Sequence, residues 1–401
     1  MCAMATARGW AWPTLSFALA LTGVTVLAVL HQQVDLSTYL LGGAHATAPD
    51  LFRVTLLKDG LGFTYPPFSA LLFAPFAHLD VRACQVVFSW VNLAALTSFI
   101  AVSLRAVGKE LDRRTVLWWA LVLVLPVTLL DPVRQTFLLG QVNIVLALIV
   151  VADLTMDLPL PRGILVGLAA AIKVTPLVFI PYLFLTRQHR AGARAVAAFC
   201  GAGLLAAAAN ASTSSAYWTR DIRDPQRAGL LSWIGNQGLL GALERLLGHA
   251  LSTPIALLIA LVAGAVGLVV AAGACRVSSP VLGLLVVEAT ESLASPVSWS
   301  HHFIWVVLLV AWLALAEDRP RGATWLAVGV ATLFWAAPAW WVTHGPSTVF
   351  AGRGWLAPVA DCDTLLFVAL VLGAGYRVGR RLALRVSGPG PPTVAPSGAG
   401  S

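Results

Sequence analysis

The chain alternates long apolar runs with short polar intervals. Runs over 12–30, 84–104, 115–130, 136–152, 193–209, 254–274, 280–294, 303–316, 324–341 and 364–376 approach the ~20 residues a helix needs to cross a bilayer. Hydrocarbon offers no partner for a bare N–H or C=O, so such runs are predicted as membrane helices. The first run is longer than the ~7–15-residue core of a cleaved signal peptide and reads as a retained span. Two stretches depart from simple counting. Residues 66–79 are apolar but short, and Pro66, Pro67 and Pro75 suit a surface or re-entrant piece. Residues 163–185 are long enough to cross, yet Lys173 and Pro176 sit in the middle. Basic residues flank this stretch on both sides, Arg162 before it and Arg187, Arg190 and Arg194 after it. Two half-helices that meet near Lys173 and return to the starting side satisfy all of these features, because exposed backbone at membrane depth is tolerated where protein buries it. The expected fold is an all-α, polytopic membrane helical bundle of about 10–12 membrane segments, one of them a broken helical hairpin.

Composition agrees with this pattern and charge orients it. Of 401 residues, 58% are hydrophobic and 11% charged, where a soluble domain carries roughly 25% charged. The net charge of +8 does not call for nucleic acid, since the basic residues sit in short loops and near the C-terminus, where the positive-inside rule puts them. With the hairpin counted as returning, the loops 105–114 and 187–194, Arg276, Arg319, Arg321 and the stretch 377–385 fall on the cytoplasmic side, as do both termini. The polar segments around 35–65, 131–143, 210–249, 295–302 and 344–361 fall outside. Residues 1–385 read as one membrane module, and the Gly-, Pro- and Ser-rich stretch 386–401 as a disordered tail. The five cysteines include no C-x-x-C pair, so neither a disulfide framework nor a thiolate metal site is expected.

The outer segments hold the candidate chemistry. Asp35 stands a few residues past the first run, in Val34-Asp35-Leu36-Ser37-Thr38-Tyr39. An acid in a loop is ordinarily solvated or caps a helix. Here further polar groups share its side: Tyr65-Pro66-Pro67, Gln141-Val142-Asn143, Asn236-Gln237 and Trp299-Ser300-His301-His302. Glu288 and Glu291, three apart in an apolar run, share a helix face. Ionisable residues at membrane depth are functional candidates, with neutral, hydrogen-bonded packing as the plain alternative. Lys173 at its helix break could meet a lipid phosphate or pair with one of these glutamates. His301 and His302 point about 100° apart on a helix and cannot ligate a metal together from one face. The outer loops hold no H-E-x-x-H, P-loop, G-x-S-x-G or D-x-D, which argues against zinc proteases, nucleotide hydrolases and metal-dependent nucleotide-sugar enzymes.

Taken in order, these segments resemble glycosyltransferase family 87 of the GT-C superfamily, the polyprenyl-phosphate-dependent mannosyltransferases of actinobacterial envelopes. The resemblance rests on residues 34–39, on Phe63-Thr64-Tyr65-Pro66-Pro67-Phe68, Gly140-Gln141-Val142-Asn143 and Ala171-Ile172-Lys173-Val174-Thr175-Pro176, on Gly235-Asn236-Gln237, and on residues 295–302. One departure is Gly238, where the family commonly carries serine. The resemblance implies an inverting transferase that moves mannose from polyprenyl-phosphate-mannose to a glycolipid or lipoglycan, through an alpha-1,2 linkage, with Asp35 as general base. Its active site would lie on the extracytoplasmic side of a multi-pass plasma-membrane protein. Tyr39, Tyr65, Gln141, Asn143, Lys173, Asn236, Gln237, His301 and His302 would contact substrate. Lys173 is the first candidate for the leaving phosphate, with Arg134 and His302 behind it, and Arg134, Glu288 and Glu291 would serve phosphate or structure. No metal or cofactor is implied, the lipid-linked donor being a substrate. The expected partners are donor, acceptor and membrane lipids, and not nucleic acid. A relative using a polyprenyl-phosphate-arabinofuranose donor, and a lipid or sugar transporter or flippase, are the competing readings.

Overall fold

The computed structural model of the chain describes residues 9–56, 60–108, 110–224, 227, 229–342 and 354–386. The expected tail from 387 onward and most of the 344–361 segment lie outside the described residues. The helices are α1 (Ala11–Leu30), α2 (Val34–Ala44), α3 (Pro67–Phe73), α4 (Val81–Val107), α5 (Arg113–Thr128), α6 (Asp131–Leu139), α7 (Asn143–Thr155), α8 (Ile164–Ile172), α9 (Phe179–Leu185), α10 (His189–Ala209), α11 (Ala211–Thr219), α12 (Leu239–Leu247), α13 (Thr253–Val277), α14 (Pro280–Ala294), α15 (Val306–Leu315), α16 (Ala323–Ala336) and α17 (Cys362–Val386). Short helical turns join several of them. Among the described residues no strand forms beyond two isolated bridges, Thr55 with Gly62 and Asn236 with Trp299. The chain is an all-α, multi-pass membrane bundle. Six helices are long and apolar enough to cross alone, α5 and α6 form a bent pair at 77°, and the remaining apolar helices are shorter.

One sequence expectation is corrected here. The run 136–152 is not a single span. Its first residues close α6, the chain turns at Gly140 with φ 72°, and a new helix starts at Asn143. Glycine has no Cβ to clash in this left-handed conformation, so one residue ends α6 and redirects the backbone.

The broken hairpin forms as expected. Lys173 leaves α8 in an extended conformation, φ −141° and ψ 134°, and Pro176 opens the turn that leads into α9. Gly163 and Gly167 on α8 pack against the backbone of Ala191 and Ala195 on α10. That register, both pairs offset equally, makes α8 and α10 parallel. The start of α8 therefore lies level with the start of α10, and α9 must have returned between them. Nine residues of α8 rise about 14 Å, which sets Lys173 about that far from the start of the helix.

Side-chain contacts sort the bundle into two ends. At one end Trp10 meets Arg114, the Asp153 carboxylate accepts from the Gly163 and Val166 amides at 2.9 and 3.0 Å, Arg276 donates to the Leu185 carbonyl, and Arg377 pairs with Asp318. The other end gathers Asp35 with Gln141, Asn210 with Ala48, and Trp340 with Asp131. It also holds Arg245, fully buried, in an ion pair with Asp361. The basic loops thus share one end, and the polar clusters singled out from the sequence share the other.

Candidate active site

The first helical turn of α2 carries Asp35. An acid at that position gains from the unpaired N–H groups and positive dipole end of the helix. Gln141 donates from Nε2 to Asp35 Oδ2 at 2.7 Å. Its Oε1 accepts from the Tyr39 hydroxyl at 2.7 Å and the Tyr65 hydroxyl at 3.1 Å, and those two hydroxyls are 2.9 Å apart. The Gln141 carbonyl accepts from Asn92 Nδ2 at 3.1 Å. Tyr39 is held in place by stacking on Phe73, with centroids 4.8 Å apart, and by an edge contact with Tyr65 at 4.9 Å. Burial pushes the Asp35 carboxyl up from 3.8 to about 6, while the Gln141 hydrogen bond and the Lys173 charge act in the opposite direction.

Lys173 arrives from the tip of the hairpin and sets its Nζ over the Tyr65 ring, 5.6 Å from the centroid. It donates to Asn143 Oδ1 at 2.8 Å and meets His302 Nε2 at 3.0 Å. An ammonium has only donors, so His302 Nε2 is the acceptor and its proton sits on Nδ1. Asn143 Nδ2 donates in turn to the His301 carbonyl at 3.0 Å, which ties the 300–305 turn to the start of α7. Lys173 also stands at the C-terminus of α8, the dipole end that favours a cation. Asp35, Tyr65 and His302 are partly exposed, whereas Tyr39, Gln141, Asn143 and Lys173 behind them are buried. A carboxylate and an ammonium gathered around Tyr65 are what this end of the bundle offers to a substrate.

Glu288 and Glu291 are buried on α14 and line a small cavity together with Asn143, Thr175 and His302. Both lie within electrostatic reach of Lys173. Arg134 stands apart, its side chain 40% exposed and bound to Asp131 Oδ1 at 2.8 Å. The Asn236 and Gln237 side chains are engaged within the protein. Asn236 spends Nδ2 on the Leu231 and Pro296 carbonyls and Oδ1 on the Gly238 and Ser298 amides. Gln237 spends Nε2 on the carbonyls of Ile234 and Ala360. Both are fully buried and pin the 230–238 loop to the segment that precedes His301. His301 likewise turns inward, with its Nε2 enclosed.

Several residues that shape the site were not singled out from the sequence. Gln85, Ser89 and Asn92 lie on one face of the span α4 and are buried. Their spacing was a readable polar stripe. Gln33, buried at the start of α2, donates to Ser89 and to the Phe137 carbonyl. Gly140 matters twice: a Cβ there would press to 2.7 Å from Leu36 Cβ and 2.8 Å from Gln33 Cβ, in a backbone conformation only glycine adopts freely. Gly140→Ala is expected to cost roughly 2–4 kcal/mol of stability from left-handed strain and overpacking. The same change pushes α2 off Gln141 and lowers activity with it. A thermal melt in detergent and an activity assay on the same preparation would check both.

Comparison with known proteins adds to this geometry. The sequence profile of glycosyltransferase family 87 matches residues 63–296. A polyprenol-phosphate-mannose-dependent alpha-(1-2)-phosphatidylinositol mannoside mannosyltransferase of Mycobacterium tuberculosis is 31% identical over 80% of this chain and 78% of its own. The protein of the same description from Mycolicibacterium smegmatis is 32% identical over 78% and 76%. A polyprenol-phosphate-mannose-dependent alpha-(1-2)-phosphatidylinositol pentamannoside mannosyltransferase of that organism is 32% identical over 84% and 85%. No solved structure matches the chain. The stretch 63–296 contains Tyr65, Gln141, Asn143, Lys173, Glu288 and Glu291; Asp35 and His302 lie outside it in sequence and join it in space.

Proposed function

The chain belongs to glycosyltransferase family 87, and from that premise we propose that it transfers mannose from polyprenyl-phosphate-mannose to a phosphatidylinositol-mannoside-type glycolipid through an alpha-1,2 linkage. The observation that carries the proposal is the network in which Gln141 holds the Asp35 carboxylate and the Tyr65 hydroxyl while the Lys173 ammonium stands 5.6 Å from the Tyr65 ring centroid.

The chemistry follows from that pair. An acceptor hydroxyl attacks the anomeric carbon while its proton passes to Asp35. The anomeric C–O bond to phosphate breaks, and the leaving polyprenyl phosphate takes the electron pair. A phosphodiester with one negative charge becomes a monoester with two, and the added charge develops where Lys173, supported by Asn143 and His302, can stabilise it. No acid is needed for a leaving group of this kind near neutral pH, and the donor is a substrate, so no cofactor enters the scheme. The oxocarbenium-like transition state is the one glycoside hydrolases also stabilise with carboxylates.

We place the reaction on the extracytoplasmic face of the plasma membrane. The basic loops gather at the end opposite Asp35, and positive loops stay inside. In this reading residues 1–385 act as one catalytic module.

The relatives' names favour mannose over arabinofuranose, and a transporter would leave no new bond. The test is the purified protein in liposomes with one labelled donor at a time and a phosphatidylinositol mannoside acceptor. Polyprenyl-phosphate-mannose is expected to yield a new alpha-1,2-mannosidic bond and polyprenyl-phosphate-arabinose none. Flux of label across the bilayer without a glycosidic product would overturn the proposal.

A further inference from the structure

We infer that Gln141 is a positioning residue for Asp35, locked from behind by Tyr39 and Tyr65, and that Asp35 Oδ1 is the atom that takes the acceptor's proton. The inference rests on the reading of Asp35 as the base.

Hydrogen-bond bookkeeping supports it. Gln141 is buried, and its amide has one acceptor oxygen and two N–H donors. The oxygen faces both tyrosine hydroxyls, one N–H is spent on Asp35 Oδ2, and the backbone carbonyl is spent on Asn92. Two hydroxyl protons serve three O···O contacts among Tyr39, Tyr65 and Gln141, so at least one proton must point at Gln141 Oε1. That fixes which way the amide faces: with oxygen toward the tyrosines, nitrogen must face the carboxylate. A flipped amide would set an oxygen against Asp35 and an N–H pair against hydroxyls already engaged. Tyr39 is 1% exposed and cannot reach a substrate. Asp35 Oδ2 is thereby occupied, and Oδ1, which has no hydrogen-bond partner among the described residues, is left to the acceptor.

Gly140 and α2 supply the rigidity. The left-handed turn at Gly140, packed on Leu36 and Gln33, brings Gln141 against the same helix that carries Asp35. The base and its orienting amide therefore move together. The titratable groups around Asp35 are Tyr39 on its own helix, Tyr65 from the following loop and Lys173 from the hairpin, with His302, Glu288 and Glu291 behind Lys173. Only Gln141 both touches the carboxylate and has no proton to lose.

This separates Gln141 from a sugar ligand in a measurable way. Gln141→Met keeps the length and removes the donor. It is expected to lower kcat roughly 10- to 100-fold, as a slight misplacement of a reacting group does, with KM for donor and acceptor within about twofold of wild type. The acid limb of the pH–rate profile moves to higher pH, because the hydrogen bond that favoured the ionised carboxylate is gone. Tyr39→Phe, a milder change that keeps the ring stacked on Phe73, gives a smaller fall of the same kind. In the Gln141→Met background it adds nothing, because residues in one network are not additive.

Asp35→Asn is the reference that keeps the two ideas apart. If it retains activity, the reading of Asp35 is wrong. If it is inactive while Gln141→Met raises either KM at unchanged kcat, leaves the pH profile unmoved, or adds fully to Tyr39→Phe, then Gln141 is a substrate ligand. In that case the inference fails and the base stands.

Discussion

Asp35→Asn is expected to fold like the wild type and to transfer mannose about 10²- to 10⁴-fold more slowly, the range a positioned general base contributes. Asparagine keeps the shape of the side chain and an oxygen for Gln141 Nε2, so the hydrogen bond from Gln141 survives. What is lost is an atom able to accept a proton. Binding of donor and acceptor should change little, which places the loss in kcat. Wild-type activity should also fall as the medium is acidified through about pH 6, where Asp35 takes a proton. The direction follows from the role: only the ionised carboxylate is a base, and burial raises the pH below which it is spent. The residual activity of Asp35→Asn should show no such limb. A variant near wild-type rate, or an acid limb that persists in it, would remove Asp35 from the mechanism.

Most of the membrane architecture was legible because hydrocarbon imposes a rule on every backbone group. The break at Lys173 could be seen for the same reason, since a lysine beside Thr175-Pro176 in an otherwise apolar stretch fits no straight helix. The end of α6 was not legible as a run. Phe137-Leu138-Leu139 and Ile144-Val145-Leu146 read as one apolar segment on either side of Gly140, and only the φ of 72° separates them. The polar side chains were found, but their orientation was not. Asn236-Gln237 and Gln141-Val142-Asn143 look alike in sequence, amides among apolar neighbours. The first pair turns into its own loop and the second group holds the base and the ammonium. That difference depends on partners far away in sequence, such as Ser298 and Ala360 for one, and Asp35 and Lys173 for the other. Periodicity has nothing to say about such pairs. Arg245 with Asp361 was missed on the same account: 116 residues separate two charges that only the folded loop brings together.

Lys173→Met should slow transfer by about 10²- to 10³-fold, the cost of removing one donor aimed at developing negative charge. It differs from Asp35→Asn in how the loss divides. The donor phosphate carries charge before the reaction begins, so part of the Lys173 contribution is made in the ground state and the donor's KM should rise. Charge at the phosphate then doubles as the sugar departs, so kcat should fall as well. Acceptor KM should stay close to wild type, because Lys173 bonds Asn143 and His302 while the base is held separately by Gln141. Removing the ammonium also leaves Asn143 Oδ1 and His302 Nε2 without their donor. Some stability is expected to go with it. Lys173→Arg tells the two effects apart: it restores the positive charge, but a planar fork cannot occupy a point-charge site in the same way. A stable Lys173→Arg protein that is still slow, with its donor KM raised, would locate the function in the position of the ammonium and not in its charge alone. Full activity in Lys173→Met would show that the leaving phosphate is received elsewhere, and Arg134, partly exposed and one helix away, would be the next cation to examine.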